Sequence, residues 1–358
     1  MKIAYCATVQ PSFGGLKTFN VGLVHALYSH CEANNISFIL ITHASHLGSF
    51  DMPENVKRSF TGNHFLFETL SLPGILKSEK VDWAIFPHNR TPLFSLGARK
   101  SAVIIHDLLF WRYPSQFSFL KWASRYFFMS VALKKVDSVF SVSEFTKHEL
   151  EAFGYRSHVD VCLEGVESNS KEPDELYSGR NFPNDLPYFL FVGAHSFQKN
   201  LPALIEAFTL VRQSGYGCRL ILAGGKGTDE DKVATYCNAS PFSGDIIRPG
   251  FVTDSEKDWL MRHSVAFVFP SIYEGFGIPI LEAFQKGTPV ICSDCASLQE
   301  VAGENAVVVK SDPGSIAEGM LEVAKNNQLR TSLIEGGKKR LAQFTWKAVS
   351  ALIMKKFV

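Results

Sequence analysis

The chain has 358 residues, of which 46% are hydrophobic and 20% charged, a composition typical of a globular protein of about two domains. The 36 basic and 35 acidic residues give a net charge of +1, which supplies no global field for a polyanion and argues against a nucleic-acid partner. The seven scattered cysteines, together with the absence of an apolar leader and of any run of about 18–20 apolar residues, indicate a cytoplasmic protein.

The first half alternates short β-branched or aromatic runs with amphipathic stretches, which predicts βαβ units around a parallel sheet. Gly14 and Gly15, which follow the first predicted strand, allow the backbone to approach a ligand closely. His106 ends a strand and could hydrogen-bond a sugar hydroxyl or relay a proton, with a buried core histidine as the alternative. Ser143 and Gly154 are the expected cap and stop of one helix. Strands are predicted at 2–8, 37–42, 82–86, 102–106, 138–142 and 159–163, and helices at 16–28, 117–135 and 144–153.

A polar, turn-rich stretch at 167–186 predicts a domain boundary, after which the alternation resumes. The most economical architecture is an α/β protein of two Rossmann-like domains that face each other across a cleft holding the active site. The expected domains are residues 1–166 and 187–340. Strands are predicted at 188–192, 219–223, 265–269 and 289–292, and helices at 201–214, 256–262, 279–286 and 313–326.

Lys199 follows the first strand of the second half, in a position where α/β sheets bind ligands. Asn200 is expected to cap the next helix and Pro202 to open it, so Lys199 stands just outside the helix N-terminus. The helix dipole repels a cation there, and a bound phosphate would resolve this conflict. A lysine that points into solvent is the alternative.

A second loop, at 271–278, carries Gly275 and Gly277 ahead of a predicted helix. Glycines at this position let the backbone and the helix N-terminus approach an anion. Glu274 on the loop and Glu282, expected in the first helical turn, can face the same crevice. A carboxylate accepts from two adjacent hydroxyls, so the pair suits a sugar nucleotide, one for the ribose and one for the transferred sugar. Two surface charges that stabilise the helix dipole are the alternative.

These segments resemble glycosyltransferase family 4, which consists of retaining enzymes with the GT-B fold. The resemblance rests on PSIYEGFGIPILEAFQKGTPVICSD and FVGAHSFQKNLPALIEAF, and on Gly14-Gly15, VIIHDLLFWRYP, VSEFTK and SLQEVAGENA in the expected order. It implies that Glu282 holds the ribose and Glu274 the donor sugar. It also assigns the sugar and diphosphate to the backbone of Gly275, Phe276 and Gly277, the diphosphate to Lys199, and the sugar near the reacting carbon to His106. The implied catalytic residues are His106, Lys199 and Glu274, and Gly14 and Gly15 are implied to contact substrate.

The resemblance also implies the reaction, which is transfer of a hexose from a nucleoside-diphosphate sugar to a glycan or lipid-linked acceptor in bacterial surface-polysaccharide synthesis. Mannose from GDP-mannose is the leading donor, and the acceptor binds to the N-terminal domain. A final helix at 341–358 crosses back to that domain. Many relatives carry an arginine near Lys199 where this chain has Gln198, so Arg248 or Lys17 are the alternative cations.

No metal or other cofactor is expected, because residues 229–231 are interpreted as solvated charge rather than as metal ligands. The stretch 117–135 joins aromatic residues to Lys121, Arg125, Lys134 and Lys135, which suggests peripheral attachment to the inner membrane face, with a core-packing helix as the alternative. A sugar-nucleotide epimerase and a non-catalytic sugar-nucleotide-binding subunit are the alternative functions. A nicotinamide dehydrogenase is disfavoured because no G-x-G-x-x-G follows a strand.

Overall fold

The computed structural model describes residues 1–8, 14–166, 180, 182, 185–295 and 297–357. The chain divides into two compact units, the first formed by Met1–Glu167 with Phe344–Val358 and the second by Ser168–Gln343. The sequence places these limits at 1–166, 187–340 and 341–358. Most of the predicted boundary stretch, 167–186, lies outside the described residues.

The first unit contains a seven-stranded parallel sheet with the strand order β3-β2-β1-β4-β5-β6-β7. Its central strands are buried on both faces, which explains their continuous apolar runs. The order reverses between β1 and β4, so the carboxyl ends of these two strands form the topological switch point, where open α/β sheets bind ligands. The strands are β1 (Lys2–Ala7), β2 (Ser37–His43), β3 (Lys57–Phe60), β4 (Trp83–Phe86), β5 (Lys100–Ile105), β6 (Ser138–Ser141) and β7 (Val159–Val161).

Helices pack against this sheet and bury a core of Ile39, Leu72, Val103 and Leu133 among others. A π-helical turn, Phe67–Ser71, joins the second helix to the third. The helices are α1 (Gly15–Ala33), α2 (His64–Leu66), α3 (Leu72–Ser78), α4 (Leu109–Arg112), α5 (Phe119–Lys135) and α6 (Glu144–Phe153). In α6, the Ser143 side chain accepts from the Thr146 amide at 3.0 Å, and Gly154 ends the helix with a φ of 104°. Both predicted signals for this helix are confirmed.

The second unit contains a six-stranded parallel sheet with the order β10-β9-β8-β11-β12-β13. This is the doubly wound arrangement of a dinucleotide-binding fold, and its switch point lies between β8 and β11. The strands are β8 (Tyr188–Val192), β9 (Arg219–Ala223), β10 (Ile246–Gly250), β11 (Ala266–Phe269), β12 (Val290–Ser293) and β13 (Val307–Val309). The helices are α7 (Leu201–Gln213), α8 (Glu230–Ala239), α9 (Asp254–His263), α10 (Ile278–Gln285), α11 (Leu298–Ala302), α12 (Pro313–Lys325) and α13 (Asn327–Arg340).

The chain then returns to the first unit as α14 (Trp346–Phe357). The Val166 amide donates to the Phe344 carbonyl at 3.0 Å where the chain re-enters this unit. The Phe357 ring stacks on Trp83 of β4 with centroids 4.1 Å apart, and Trp346 contacts Phe19 of α1. The first unit is therefore built from both ends of the chain.

Candidate functional site

Lys199 lies at the switch point of the second unit, at the end of a short 3₁₀ turn that precedes α7. Its Nζ donates to Glu274 Oε1 at 2.6 Å and stands 4.7 Å above the Phe269 ring centre. The Lys199 and Glu274 side chains are 15% and 16% exposed, so the alternative of a solvent-pointing lysine is wrong. Glu274 supplies the negative charge that the sequence argument assigned to a phosphate.

Asn200 does not cap α7 with its side chain, contrary to the prediction. It adopts a left-handed conformation with a φ of 54°, and its Nδ2 donates to the carbonyls of Ser311 at 2.8 Å and Pro270 at 3.3 Å. The Ile272 amide also donates to the Gln198 carbonyl at 2.8 Å. These bonds tie the Lys199 loop to the loops after β11 and β13, which fixes Lys199 beside Glu274.

The glycine loop ends at Gly277, which precedes α10 with a φ of 126° that disfavours other residues. No side chain caps α10, so its N-terminus suits an anion. Ser297 Oγ lies 2.7 Å from the Phe276 carbonyl oxygen and 3.1 Å from the Glu274 carbonyl oxygen. These contacts fix the backbone of the glycine loop. Gly275 and the buried Phe276 therefore sit on a fixed stretch of backbone between the carboxylate and the helix.

Glu282 is the fifth residue of α10 and lies beyond its first turn, which corrects the predicted position. Its Oε1 accepts from Lys257 Nζ at 2.8 Å, and Asp254 lies 3.5 Å from the same nitrogen. Burial acts to lower the pKa of Lys257, but the neighbouring carboxylate of Glu282 outweighs it and the pKa is raised. Each of the two predicted carboxylates therefore forms its own ion pair, Glu274 with Lys199 and Glu282 with Lys257.

His106 directly follows β5 in the first unit and is buried. Its Nδ1 lies 3.2 Å from Glu164 Oε1 and its Nε2 lies 2.9 Å from the Pro87 carbonyl oxygen, while Phe19 packs edge-on against the ring. This geometry fits the buried-histidine alternative. Glu164 was not anticipated, because a single acidic residue after a short edge strand carries no pattern.

Gly14 precedes α1 with a φ of 89°, and Gly15 is the first residue of that helix. A Cβ at Gly14 would lie more than 4 Å from every atom of the described residues that do not adjoin it. Residues 9–13, which precede it, lie outside the described part of the chain. Lys17 lies in the first turn of the same helix.

Glu230 is held in ionic contacts, which corrects its interpretation as solvated charge, whereas Asp231 is exposed. Its carboxylate contacts His195 Nδ1 at 2.7 Å and pairs with Arg248. Burial acts to raise the pKa of Glu230, but the His195 hydrogen bond and the Arg248 charge outweigh it, and the pKa is lowered. Arg248 is therefore committed to Glu230. Across the described ranges, no three His, Cys, Asp or Glu side chains converge in a way that could hold a metal ion.

Comparison with known proteins adds three findings. Residues 174–340 match the family described as "Glycosyl transferases group 1". O-antigen chain mannosyltransferase B of Escherichia coli is 33% identical over 162 residues, which cover 45% of this chain and 42% of that protein. An uncharacterized glycosyltransferase of Methanocaldococcus jannaschii is 27% identical over 364 residues, covering 97% of this chain and 95% of that one.

Among solved structures, WaaG, a glycosyltransferase involved in lipopolysaccharide biosynthesis, superimposes with a TM-score of 0.74 at 14% identity, over 99% of both chains. The predicted GT-B fold class is confirmed by this likeness and by the two parallel sheets. The resemblance to glycosyltransferases is confirmed by the family match over residues 174–340. The chain spans less than half the length of the E. coli relative that it matches.

Proposed function

We propose that the chain is a retaining glycosyltransferase, because residues 174–340 match the family described as "Glycosyl transferases group 1". It moves a hexose from a nucleoside-diphosphate sugar to a glycan or lipid-linked glycan acceptor. The donor is GDP-mannose and the product a bacterial surface polysaccharide, and the relation to an O-antigen chain mannosyltransferase of E. coli supports mannose as the sugar. The protein acts in the cytoplasm, at the inner face of the membrane.

One observation carries this proposal: the Lys199–Glu274 ion pair lies at a switch point beside an α10 N-terminus that no side chain caps. An ammonium group and a helix N-terminus are suited to a diphosphate, and a carboxylate is suited to sugar hydroxyls. In the structure the two charges neutralise each other. The donor exchanges these contacts, so that its phosphate takes Lys199 and its sugar hydroxyls take Glu274.

The same groups account for the chemistry of transfer. When the glycosidic bond breaks, the diphosphate gains negative charge while the sugar becomes positive. The Lys199 ammonium and the amides of α10 stabilise that new charge without having to rearrange. The acceptor hydroxyl attacks from the side of the leaving phosphate, which takes its proton, so the anomeric configuration is retained. The resemblance assigns His106 to the sugar near the reacting carbon, and its two ring nitrogens face Glu164 and the Pro87 carbonyl.

A panel of GDP-, UDP- and ADP-sugars tests the function directly. A bound donor stabilises the protein by about 2.7 kcal/mol at a hundredfold excess over its Kd, which a thermal-shift assay detects. We expect GDP-mannose to give the largest shift, and an added acceptor to yield an α-linked product by NMR. Conversion of the sugar within the nucleotide would indicate an epimerase instead. Binding with neither hydrolysis nor transfer would indicate a non-catalytic subunit.

Glu282→Gln tests the proposed ribose contact. Loss of a charged hydrogen bond costs about 1.5–3 kcal/mol, which corresponds to a rise in the donor KM of about 10- to 150-fold. Asp258→Asn is the matched control, because Asp258 pairs with Lys286 in a similar carboxylate–lysine contact outside the proposed site. An unchanged KM in Glu282→Gln would mean that Glu282 serves Lys257 alone.

We further propose that an exposed apolar patch of the first unit contacts an anionic lipid bilayer. The patch comprises Phe65, Leu66, Leu70, Phe119, Leu120 and Phe127, of which Leu120 is 79% exposed. Its two stretches meet where the ring of Phe65 contacts that of Phe128. Apolar side chains exposed in a group mark interaction surfaces. No helix among the described residues is long and apolar enough to cross a membrane.

The charges beside this patch favour anionic lipid. Lys121 and Arg125 are exposed on α5 among the aromatic residues, as on an interfacial helix. Lys135 does not contribute, which corrects the predicted set, because its Nζ donates to the carbonyls of residues 92–94. The core-packing alternative applies to the second half of α5, where Met129, Ala132 and Leu133 are buried.

Flotation with liposomes tests the membrane contact. We expect the protein to float with anionic vesicles at low salt, and Leu120→Ser to float less. Leu210→Ser is the control, because Leu210 is an exposed leucine of α7 in the second unit. Equal flotation of both variants, or none for the wild type, contradicts the proposal.

A further inference from the structure

Two ion pairs of opposite polarity join α9 to α10 in the second unit. Lys257 of α9 donates to Glu282 Oε1 of α10 at 2.8 Å. One turn further along α10, Lys286 pairs with Asp258 of α9. These two helices lead into and out of β11, which lies beside β8 at the switch point. The ion pairs therefore connect the two helices that flank one of the switch-point strands.

The first turn of α9, which carries Lys257, is fixed by its own hydrogen bonds. Thr253 and Glu256 form a capping box, in which Thr253 Oγ1 accepts from the Glu256 amide at 3.2 Å and Glu256 Oε2 accepts from the Thr253 amide at 2.7 Å. The Lys257 amide donates to the Thr253 carbonyl at 2.8 Å. The lysine therefore extends from a backbone that is already in place.

The Lys257 ammonium contacts two carboxylates that differ in exposure. Glu282 is 16% exposed, whereas Asp254, whose Oδ1 lies 3.5 Å from the same nitrogen, is 92% exposed. Water and salt screen an exposed pair much more than a largely buried one. Lys257 therefore acts mainly on Glu282.

Lys257 occupies only one oxygen of the Glu282 carboxylate. Oε1 accepts from the ammonium, while no described residue hydrogen-bonds Oε2, which is not shut off from solvent. Each carboxylate oxygen is a hydrogen-bond acceptor. Oε2 can therefore accept from a ligand hydroxyl while Oε1 stays on the lysine.

We propose that Lys257 is a positioning residue for the donor, which fixes the Glu282 carboxylate so that Oε2 binds a hydroxyl of the nucleotide ribose. This assignment rests on the proposed transferase function, in which Glu282 contacts the ribose. Without the lysine, the carboxylates of Glu282 and Asp254 would share no cation and would repel each other. Glu282 would then lose the orientation that a ribose hydroxyl requires.

The test titrates the full chain calorimetrically with GDP and UDP, each beside its 2′-deoxy and 3′-deoxy analogues. We expect the wild type to bind one deoxy analogue at least about tenfold more weakly than the parent nucleotide, since a site built for a hydroxyl rejects an analogue that lacks it. Lys257→Met should bind the parent about tenfold more weakly and lose most of this discrimination. Lys257→Arg, which keeps a cation beside Glu282, should retain it.

Lys286→Met is the matched control, because it breaks the neighbouring ion pair between the same two helices. It should keep the discrimination of the wild type, even if urea denaturation shows an equal loss of stability in both methionine variants. Full discrimination in Lys257→Met, or an equal loss of it in Lys286→Met, overturns the proposal and leaves the transferase function standing. A wild type that binds the nucleotides without discriminating overturns the ribose contact as well, and one that binds neither nucleotide overturns both proposals.

Discussion

The Lys199 ammonium is the residue on which the proposed chemistry most depends. Its Nζ lies 2.6 Å from Glu274 Oε1, so this largely buried cation is not isolated. When a donor brings its own phosphates, the lysine can serve the new charge while Glu274 turns to the sugar. A lysine at a helix N-terminus is expected to have an anion nearby, and Glu274, 75 positions away in the chain, provides it.

Lys199→Ala should therefore damage the chemical step more than donor binding. The bound donor already carries its diphosphate charge, but bond cleavage adds charge that Lys199 is positioned to meet. We expect turnover to fall by about two to three orders of magnitude, with a smaller change in KM, as for the loss of one transition-state donor. Steady-state kinetics beside Lys199→Arg measure this effect. Near-normal turnover in both variants would point to another cation, with Arg248 the first to substitute.

His88 gives the protein a predictable response to acid. Burial, with a smaller contribution from the His106 and Arg90 charges, lowers the pKa of His88 to about 3. The Asn20 amide nitrogen lies 3.3 Å from Nε2, in accord with an unprotonated acceptor. In the unfolded chain the same ring takes up a proton below about pH 6.5. The unfolded state then binds more protons than the folded state, so stability is lost as the pH falls from about 6.5 towards 3.

The expected effect is a slope of about 1.4 kcal/mol per pH unit in the free energy of unfolding, and His88→Gln should remove it. Urea titrations between pH 6 and pH 4.5 measure the slope for wild type and variant. The matched control is His148→Gln, at an exposed histidine of α6. An identical slope in His88→Gln and wild type would show that His88 is protonated in the folded protein.

At the scale of elements, the contact between α1 and α14 is unusually close. A Cβ on Gly22 of α1 would lie 2.1 Å from Nε1 of the buried Trp346 ring, well inside contact distance. Gly22→Ala should therefore destabilise the protein by about 1–3 kcal/mol, even though alanine favours the helix. Chemical denaturation followed by tryptophan fluorescence reports on this unit, which holds four of the five tryptophans.

Gly74→Ala in α3 is the matched control, because a Cβ there meets nothing within 4 Å. It should gain about 0.5–1 kcal/mol from helix propensity. Destabilisation of both variants to the same degree would mean that the Trp346 contact is not the cause.

Local signals in the sequence predicted most elements because they act over a few residues. The apolar runs of β1 and β8 and the Ser143 and Gly154 signals of α6 needed no knowledge of distant contacts. The short edge strand β3 was not predicted, because its sequence, KRSF, has no alternation of apolar and polar residues. Asn200 was predicted to cap α7, but its side-chain amide instead donates to the carbonyls of Pro270 and Ser311, which are 70 and 111 positions away in the chain.

In the candidate site, too, local sequence signals predicted the residues but not their tertiary contacts. Lys199, Glu274 and the glycines were predicted from loop position and residue type. Their actual pairings, Lys199 with Glu274 and Glu282 with Lys257, depend on tertiary structure that no local pattern encodes. Glu164 was missed because a single acidic residue gives no local pattern, and only the folded chain brings it beside His106.

At the scale of the whole molecule, the two ends of the chain share one core. α14 buries Trp346, Val349, Ile353, Met354 and Phe357, and each such side chain contributes about 1.5–3 kcal/mol. That sum is comparable to the full stability of an ordinary domain, about 5–15 kcal/mol. The C-terminal helix is therefore an integral part of the first unit.

The charge balance of the molecule decides how it can neutralise a diphosphate. A net charge of +1 provides no long-range attraction for an anionic donor. Local groups must do so, and those in the candidate site are Lys199 and the N-terminus of α10. Since Arg248 and Lys257 are paired with Glu230 and Glu282, a donor meets few cations that are not already committed to a carboxylate.

We therefore expect transferase activity to survive an excess of EDTA. Charge on the leaving phosphate is met by Lys199 and by backbone amides, and the described residues offer no cluster of three metal-binding side chains. Activity assays with EDTA, with and without added Mn²⁺, measure this, and Lys199→Ala provides the internal comparison. If Mn²⁺ restored activity lost in EDTA, a divalent ion would be sharing the role of Lys199, and Asp229 and Asp231 would be the first residues to substitute. If Mn²⁺ leaves both wild type and Lys199→Ala unaffected, no divalent ion shares the role of Lys199.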